Sequence, residues 1–280
     1  MILRKKYLMN NTLVIIPHFN NPEGLKNSIA SIGENETVDV IVIDDGSTKN
    51  KIVESEILNS QKFNGSLFFN YNSENRGIEH VLNDGIDFAL QRNYKYIARL
   101  DCGDLCHPLR FHKQISFLET HPDISLLGTS VKAINTDGEF LYNIYVPEEN
   151  KEIRNKMYLN AMFIHPTILF RSSVIQSAGK YPLHFKSAED YAFFFQILKT
   201  HKGANLKETL VSIEINDSGI SLQRRKQQVK SRIEIIKSNF YFGFWPIYGL
   251  GRSYILYLIP NSLVFKAKKL LYSKKNQNPE

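Results

Sequence analysis

Residues 96–108 read YIARLDCGDLCHP. A short apolar run stops abruptly at Asp101 and Asp104, and the pattern predicts a helix soon after. Carboxylates at the carboxyl end of a buried strand stand where open α/β sheets hold ligands. Two carboxylates three residues apart also suit a hard divalent cation, which prefers oxygen ligands and can carry a diphosphate with it. An ordinary strand-to-helix turn reads the same way, with Asp104 capping the helix and Pro108 helping it start.

The flanking sequence alternates strand and helix signals. Residues 13–16 are an apolar run ended by Pro17, and Asn21-Pro22 then caps and opens a helix to about Ile32. Residues 38–43 form a second strand, closed by Asp44-Asp45-Gly46-Ser47, and residues 52–58 have helical spacing. Residues 67–71 read as a third strand and 78–90 as an amphipathic helix, with Ile78, Val81, Leu82, Ile86 and Leu90 on one face. Residues 96–100 are the fourth strand. This order predicts an α/β fold with a mostly parallel sheet and helices on both faces. Beyond it the spacing predicts helices over 109–118 and 191–198, short strands at 124–127, 168–170 and 209–215, and an edge strand at 139–146. A basic helix is expected over 221–238.

Of the 280 residues, 42% are hydrophobic, enough for one large domain with an appendage. Residues 221–280 hold 12 Lys/Arg against 2 Asp/Glu, a net +10, while residues 1–220 hold 23 against 26, a net −3. The basic character thus belongs to the tail, which argues against a nucleic-acid-binding body. The N-terminus MILRKKYLMNN does not read as a signal peptide. Cys102 and Cys106 are the only cysteines, so there is no disulfide framework and a structural zinc site is not expected. A reducing, cytoplasmic setting fits.

Three acidic clusters follow in order: Asp44-Asp45, Asp101/Asp104 and Glu189-Asp190. Strand ends of a parallel sheet share one edge, so the first two clusters should face one cleft. The first can accept hydrogen bonds from a base or ribose, the second can hold a metal diphosphate, and the third can serve as a general base. Each has a plainer reading. Asp-Asp-Gly-Ser is a common turn composition, and Glu189-Asp190 also suits a helix N-terminus.

Six motifs in this order resemble a family: TLVIIPHFNNPEGLKNSIASI, VDVIVIDDGSTKN, NRGIEHVLNDGI, YIARLDCGDLCHPLRFHKQISFLETHP, FIHPTILFRSSVI and SAEDYAFFFQIL. Over roughly residues 12–225 the chain is similar to the bacterial family 2 glycosyltransferases of GT-A fold. That inverting group builds surface polysaccharides of the O-antigen and capsule type. The resemblance implies a catalytic domain over 1–220 and a nucleotide-diphosphate sugar donor, with uridine the first base to test. It places Pro17 and Phe19 beside the nucleobase and Asp45 on the base. Asn75, Gly77 and Asn83 fall on the donor-sugar side, with Arg99 near the donor. The family's metal motif often reads Asp-Xaa-Asp-Asp. Here Gly103 takes the place of the second Asp, leaving Asp101 and Asp104 as ligands for Mg²⁺ or Mn²⁺. Asp190 matches the catalytic base, with Glu189 beside it, and His165 lines the acceptor side.

After the basic helix, residues 239–265 read NFYFGFWPIYGLGRSYILYLIPNSLVF, followed by Lys266, Lys268, Lys269, Lys274 and Lys275. Pro246, Gly249, Gly251, Arg252 and Pro260 leave no clean run of the ~20 apolar residues that crosses a bilayer. Aromatic residues with flanking lysines instead suit the membrane interface. The expectation is peripheral attachment to the inner face of the cytoplasmic membrane, beside a lipid-linked glycan acceptor. Packing of these aromatics on the body is the alternative. A glycosyltransferase-like scaffold without activity is the competing functional reading. A sugar nucleotidyltransferase is disfavoured because HFNNPEGLKN makes a poor triphosphate cradle.

Overall fold

The computed structural model describes residues 10–215 and 225–259. The basic N-terminus, Arg224 with the first turn expected for the basic helix, Pro260 and the lysines from Lys266 onward lie outside the described residues.

Strands β1 (Thr12–His18), β2 (Asp39–Asp44), β3 (Leu67–Tyr71) and β4 (Tyr96–Arg99) pair in parallel in the order β3-β2-β1-β4. Helices α1 (Pro22–Ser31), α2 (Glu54–Ser60) and α3 (Ile78–Gln91) connect them. The order reverses between β1 and β4, so their carboxyl ends open a crevice. Asn21 caps α1 as its pattern predicts, accepting the Gly24 N–H at 3.0 Å, with Pro22 at the first helical position.

The second half of the sheet is mixed. The short strand β5 (Leu105–Cys106) precedes α4 (Arg110–Thr120) and the long strand β6 (Ile124–Ile134). Next come β7 (Phe140–Ile144), α5 (Asn150–Lys156), a 3₁₀ turn (His165–Thr167), β8 (Leu169–Arg171) and α6 (Val174–Ala178). Helix α7 (Glu189–Thr200), β9 (Lys202–Glu214), α8 (Arg225–Ser238) and α9 (Phe244–Leu258) complete the described chain. Strand β8 lies antiparallel between β4 and β6, so β6 runs with β4 again, and β9 is parallel to β6. Strands β5 and β7 pair antiparallel with β9 and β6. Among the described residues, six strands of the nine-stranded sheet therefore share a direction and three oppose it.

Alternation along β1 and β2 builds two cores. Leu13, Ile15, Ile41 and Ile43 face α3 and α7, while Val14, Ile16, Val40 and Val42 face α1 and α4. Every one of these side chains is buried, and each is worth about 1.5–3 kcal/mol relative to exposure.

Strands β6 and β9 are longer than the spacing predicts, reaching residue 134 and starting at residue 202. Some of the polar groups that hid them find tertiary partners, while Ser130 Oγ and Asn205 Oδ1 have none. The Thr129 N–H donates to Thr167 Oγ1 at 3.1 Å, and Asn205 Nδ2 reaches Pro147 O and Met162 O. The start of α4 is also set from afar: Glu36 accepts the Phe111 and His112 N–H groups at 2.8 and 2.9 Å. Asp104 is therefore not the cap of that helix.

The C-terminal helices pack on the body. Val229, Ser231, Ile233, Ile235 and Ile236 of α8 are buried, and Ser231 Oγ donates to Lys186 O at 3.0 Å. Helix α9 turns its small residues Gly249 and Ser253 inward, with Pro246, and most of its large ones outward. A Cβ on Gly249 would come within 2.3 Å of Tyr158 O, so only glycine permits this approach. No helix among the described residues is long and apolar enough to cross a membrane.

Candidate active site

The carboxyl ends of β1, β2 and β4 bring the early acidic clusters to one edge. At the β2 end, Ser47 N–H closes onto Asp44 Oδ1 at 2.9 Å. His18 accepts the Asn21 N–H on Nε2 at 3.1 Å, and its Nδ1 faces Asp44 and Ser47. Burial holds its pKa down despite Asp44, which keeps a neutral ring in that role. Phe19 beside it is exposed and Pro17 is half-buried. Asp45 is buried and organises the loop before α3. Its carboxylate accepts the backbone N–H of Arg76 and Gly77 at 2.9 Å each, and Asn72 Nδ2 at 3.2 Å. Gly77 takes φ +98°, a conformation that favours glycine, and Asn75 on the same loop is exposed. Asn83 uses both amide atoms on one residue: Nδ2 donates to Tyr181 O, and Oδ1 accepts the Tyr181 N–H, at 2.9 Å each.

The acidic turn hangs on Ser28 of α1. Its hydroxyl accepts the Gly103 N–H at 2.9 Å and lies 2.9 Å from Asp104 O. Gly103 has φ +104°, while a Cβ there would meet only Asn21 Nδ2 at 3.8 Å. Backbone conformation, not crowding, disfavours a side chain at this position. Asp101 is one-third exposed and Asp104 is buried, with Oδ1 accepting the Glu214 N–H at 3.1 Å. Burial, then the charge of Asp101, raises the Asp104 pKa well above the ordinary carboxylate range. Burial lifts both thiols, Cys102 and Cys106, to about 12, so neither is a thiolate at neutral pH.

No group of three His, Cys, Asp or Glu side chains fit to hold a metal occurs among the described residues. Two neighbouring carboxylates, one partly open, nevertheless fit a hard cation of the kind that takes one or two carboxylates and completes its shell with phosphate oxygens and water. A cation there would also relieve the repulsion between Asp101 and Asp104.

Arg99 links this turn to the third acidic cluster. Its Nε donates to Asp101 Oδ1 at 2.5 Å, and its Nη1 lies against the ring nitrogens of His165. The fold explains the meeting. Strand β8 is antiparallel to β4, so the 3₁₀ turn before β8 lands at the carboxyl end of β4, and the Arg99 N–H donates to Ile168 O at 3.0 Å. Buried Arg110 and Gln114, one helical turn apart on α4, brace both pieces. Arg110 Nη2 donates to Arg99 O at 2.7 Å and Gln114 Nε2 to Thr167 O at 2.9 Å.

His165 Nε2 is 2.9 Å from the Tyr181 hydroxyl, and Nδ1 is 3.8 Å from Asp190 Oδ2. Burial and then Arg99 hold the His165 pKa well below its usual value, so the ring is neutral. Asp190 stands in the first turn of α7, its side chain 30% exposed, with Oδ1 accepting the Tyr191 N–H at 2.7 Å. Crowding by protein atoms raises its pKa, opposed by the Tyr191 N–H, Arg99 and Arg232. Burial and then the charge of Asp190 lift Glu189 to about 7. A carboxylate of raised pKa, open on one side and held by an ordered neighbour, is equipped to take a proton near neutral pH.

The structure thus joins Arg99, Asp101, His165 and Asp190 in one continuous set of contacts. Asp45, Gly77 and Asn83 shape the surrounding loops. Ser28, Arg110, Gln114 and Tyr181 adjoin the set, and Arg232 lies over the ring of Tyr191 beside it; sequence reasoning assigned none of the five to the site. Arg110 and Gln114 left a trace, as polar residues four apart on the inward face of an amphipathic helix.

Residues 13–179 match the model of glycosyl transferase family 2. The amylovoran biosynthesis glycosyltransferase AmsE of Erwinia amylovora is 29% identical over 165 residues, 59% of this chain and 60% of that protein. The O-antigen biosynthesis glycosyltransferase WbnJ of Escherichia coli is 32% identical over 140 residues, 49% of this chain and 54% of that one. In both cases the match spans less than two-thirds of the relative. Among solved structures, Staphylococcus aureus TarS 1–349 in complex with UDP-GlcNAc superposes with a TM-score of 0.61 at 17% identity, covering 80% of this chain and 66% of that chain. The Pyrobaculum calidifontis mannosyltransferase PcManGT, in complex with GDP-Man and Mn²⁺, gives 0.61 at 12% identity, covering 98% and 77%. The chain belongs to glycosyl transferase family 2 and has the GT-A fold.

Proposed function

We propose that the protein is an inverting glycosyltransferase. It moves a sugar from a nucleotide-diphosphate donor, a UDP-sugar first, to a glycan or lipid-linked acceptor in surface-polysaccharide synthesis. The observation that carries this reading is the run of contacts from Asp101 through Arg99 and His165 to Asp190, set at the edge where the sheet order reverses. TarS in complex with UDP-GlcNAc and relatives named for amylovoran and O-antigen biosynthesis support the donor and acceptor classes.

In this reading Phe19 and Pro17 flank the nucleobase and Asp45 binds the base, while Asn75 stands on the donor-sugar side. Gly77 and Asn83 stand there too. Asp101 and Asp104 would hold Mg²⁺ or Mn²⁺, which would neutralise charge developing on the leaving diphosphate. Asp190 Oδ2, the oxygen not engaged by the Tyr191 N–H, takes the proton from the acceptor hydroxyl. That oxygen attacks the anomeric carbon from the face opposite the diphosphate, which leaves with the bonding electron pair. One displacement inverts the configuration, so an α-linked donor yields a β-linked product. Neutral His165 lines the acceptor side, kept uncharged by burial and by Arg99 so that it does not neutralise Asp190. Glu189 buffers the charge beside the base.

The test is proton NMR of the first sugar released or transferred from an α-linked donor. A β anomer is expected, and an α anomer contradicts single displacement. A scaffold that binds nucleotide without turnover is the second reading, favoured by Gly103 in place of a metal-motif carboxylate.

Peripheral attachment to the inner face of the cytoplasmic membrane completes the proposal. Its support is the inverted packing of α9, which leaves Phe244 at 69% and Leu258 at 78% exposure, with Phe242 before it at 94%. Large exposed apolar patches mark interaction surfaces. Co-sedimentation with phosphatidylcholine vesicles containing phosphatidylglycerol is the expected result. A chain that stays in the supernatant contradicts attachment.

A further inference from the structure

Two arginines from the C-terminal helices act on Tyr191, the residue that follows Asp190. Arg232 of α8 donates from Nη2 to Asn160 Oδ1 at 2.8 Å, and Arg252 of α9 donates from Nη1 to Leu159 O at 2.7 Å. Leu159 and Asn160 are consecutive, so both arginines bond to one turn. Arg232 also lies over the ring of Tyr191, with Cζ 5.6 Å from the centroid, and Tyr191 directly follows Asp190. Neither arginine forms an ion pair with a carboxylate among the described residues. Asp190 acts on Arg232 only through space, and Arg252 repels it. Two half-buried guanidinium groups held on one turn without a paired carboxylate are stabilised by an anion that bridges them.

The surroundings indicate which anion. Residues 235–259 contain no Asp or Glu. Arg252 sits on the inner side of α9, while Ile247, Tyr248, Tyr254, Ile255 and Leu258 of the same helix are exposed. Arg232 thus neighbours the proposed base, and Arg252 belongs to the helix that carries the apolar ridge. An amphiphile with a phosphate at the head of an apolar tail matches both, because arginine forks suit phosphate oxygens.

We propose that Arg232 and Arg252 form an acceptor subsite for the phosphate or diphosphate that joins a glycan to a membrane lipid. The inference rests on Asp190 as the base, since that fixes the acceptor side. The saccharide end of the acceptor points to Asp190 and the lipid end to α9.

The test is calorimetric binding of farnesyl diphosphate, a lipid diphosphate without sugar, to the full chain, compared with farnesol and with inorganic diphosphate. Farnesyl diphosphate is expected to bind at least tenfold more tightly than either. Arg232→Gln and Arg252→Gln should each weaken it at least fivefold with unchanged circular dichroism, and Arg252→Lys should restore part of the loss. Equal binding of farnesol, equal binding of inorganic diphosphate, or indifference to both Gln variants overturns the proposal. Loss of probe binding in Asp101→Ala also overturns it, by placing the probe in the donor cleft. Asp190→Asn should keep the probe bound, so the subsite and the base assignment fail separately.

Discussion

At the scale of single residues, the proposal assigns the chemistry to Asp190. Asp190→Asn should lower kcat by about 10²–10⁴-fold, the usual contribution of a general base, while donor binding stays within about twofold because the substitution keeps size and shape. Its raised pKa gives a pH signature. The base works only when ionised, so the rate should fall as pH drops through a value higher than that of an ordinary aspartate. Glu189 adds a stability signature of opposite sense. Its folded-state pKa is raised from 4.5 to about 7, so between those values the folded chain holds a proton that the unfolded chain releases. That contribution to stability is therefore present below 4.5 and lost as pH rises through about 7, and Glu189→Gln should flatten the slope in denaturant titrations. Gly103→Asp would rebuild the family's usual acidic motif, but at φ +104°. It should lose about 1–2 kcal/mol of stability, read from the urea midpoint, and an increase in stability would contradict the backbone argument. Asp190, His165 and Arg99 were legible in the sequence because they stand in short motifs. Tyr181 and Arg232 were not, because only tertiary contacts bring them to the site.

Among the elements, those with local signals were the most legible. Strand β3 at residues 67–71 and α3 from residue 78 follow directly from the runs and the 3.6-residue spacing. Strand β5 is two residues long and exists because β9 runs beside it, so no local pattern announces it. Helix α8 carried a signal that its charge obscured: Val229, Ile233 and Ile236 recur at helical spacing and all are buried. Its lysines and arginines drew attention to solvent, whereas its apolar stripe fastens it to α7. Ile236→Ala should therefore cost about 2–5 kcal/mol, as for a core position. A loss below about 0.5 kcal/mol, the range of ordinary surface substitutions, would mean that α8 contributes nothing to the fold.

On the scale of the whole molecule, the two halves of the sheet divide the work. The parallel half supplies the Asp45 and Asp101 loops, and the antiparallel return through β8 carries His165 to the end of β4. Alternating strands and helices made the first half readable, while the return is set by long-range pairing of β6, β8 and β9. The C-terminal helices pack on the body, carry Arg232 and Arg252 of the proposed acceptor subsite, and leave an apolar ridge outward. The cleft should bind a nucleoside diphosphate, which calorimetric titration of UDP, dTDP and GDP into the protein, with and without Mn²⁺, would measure. One of the three, UDP first, should bind with a dissociation constant in the micromolar range and more tightly with the ion. No binding of any of them at millimolar concentration would contradict the account.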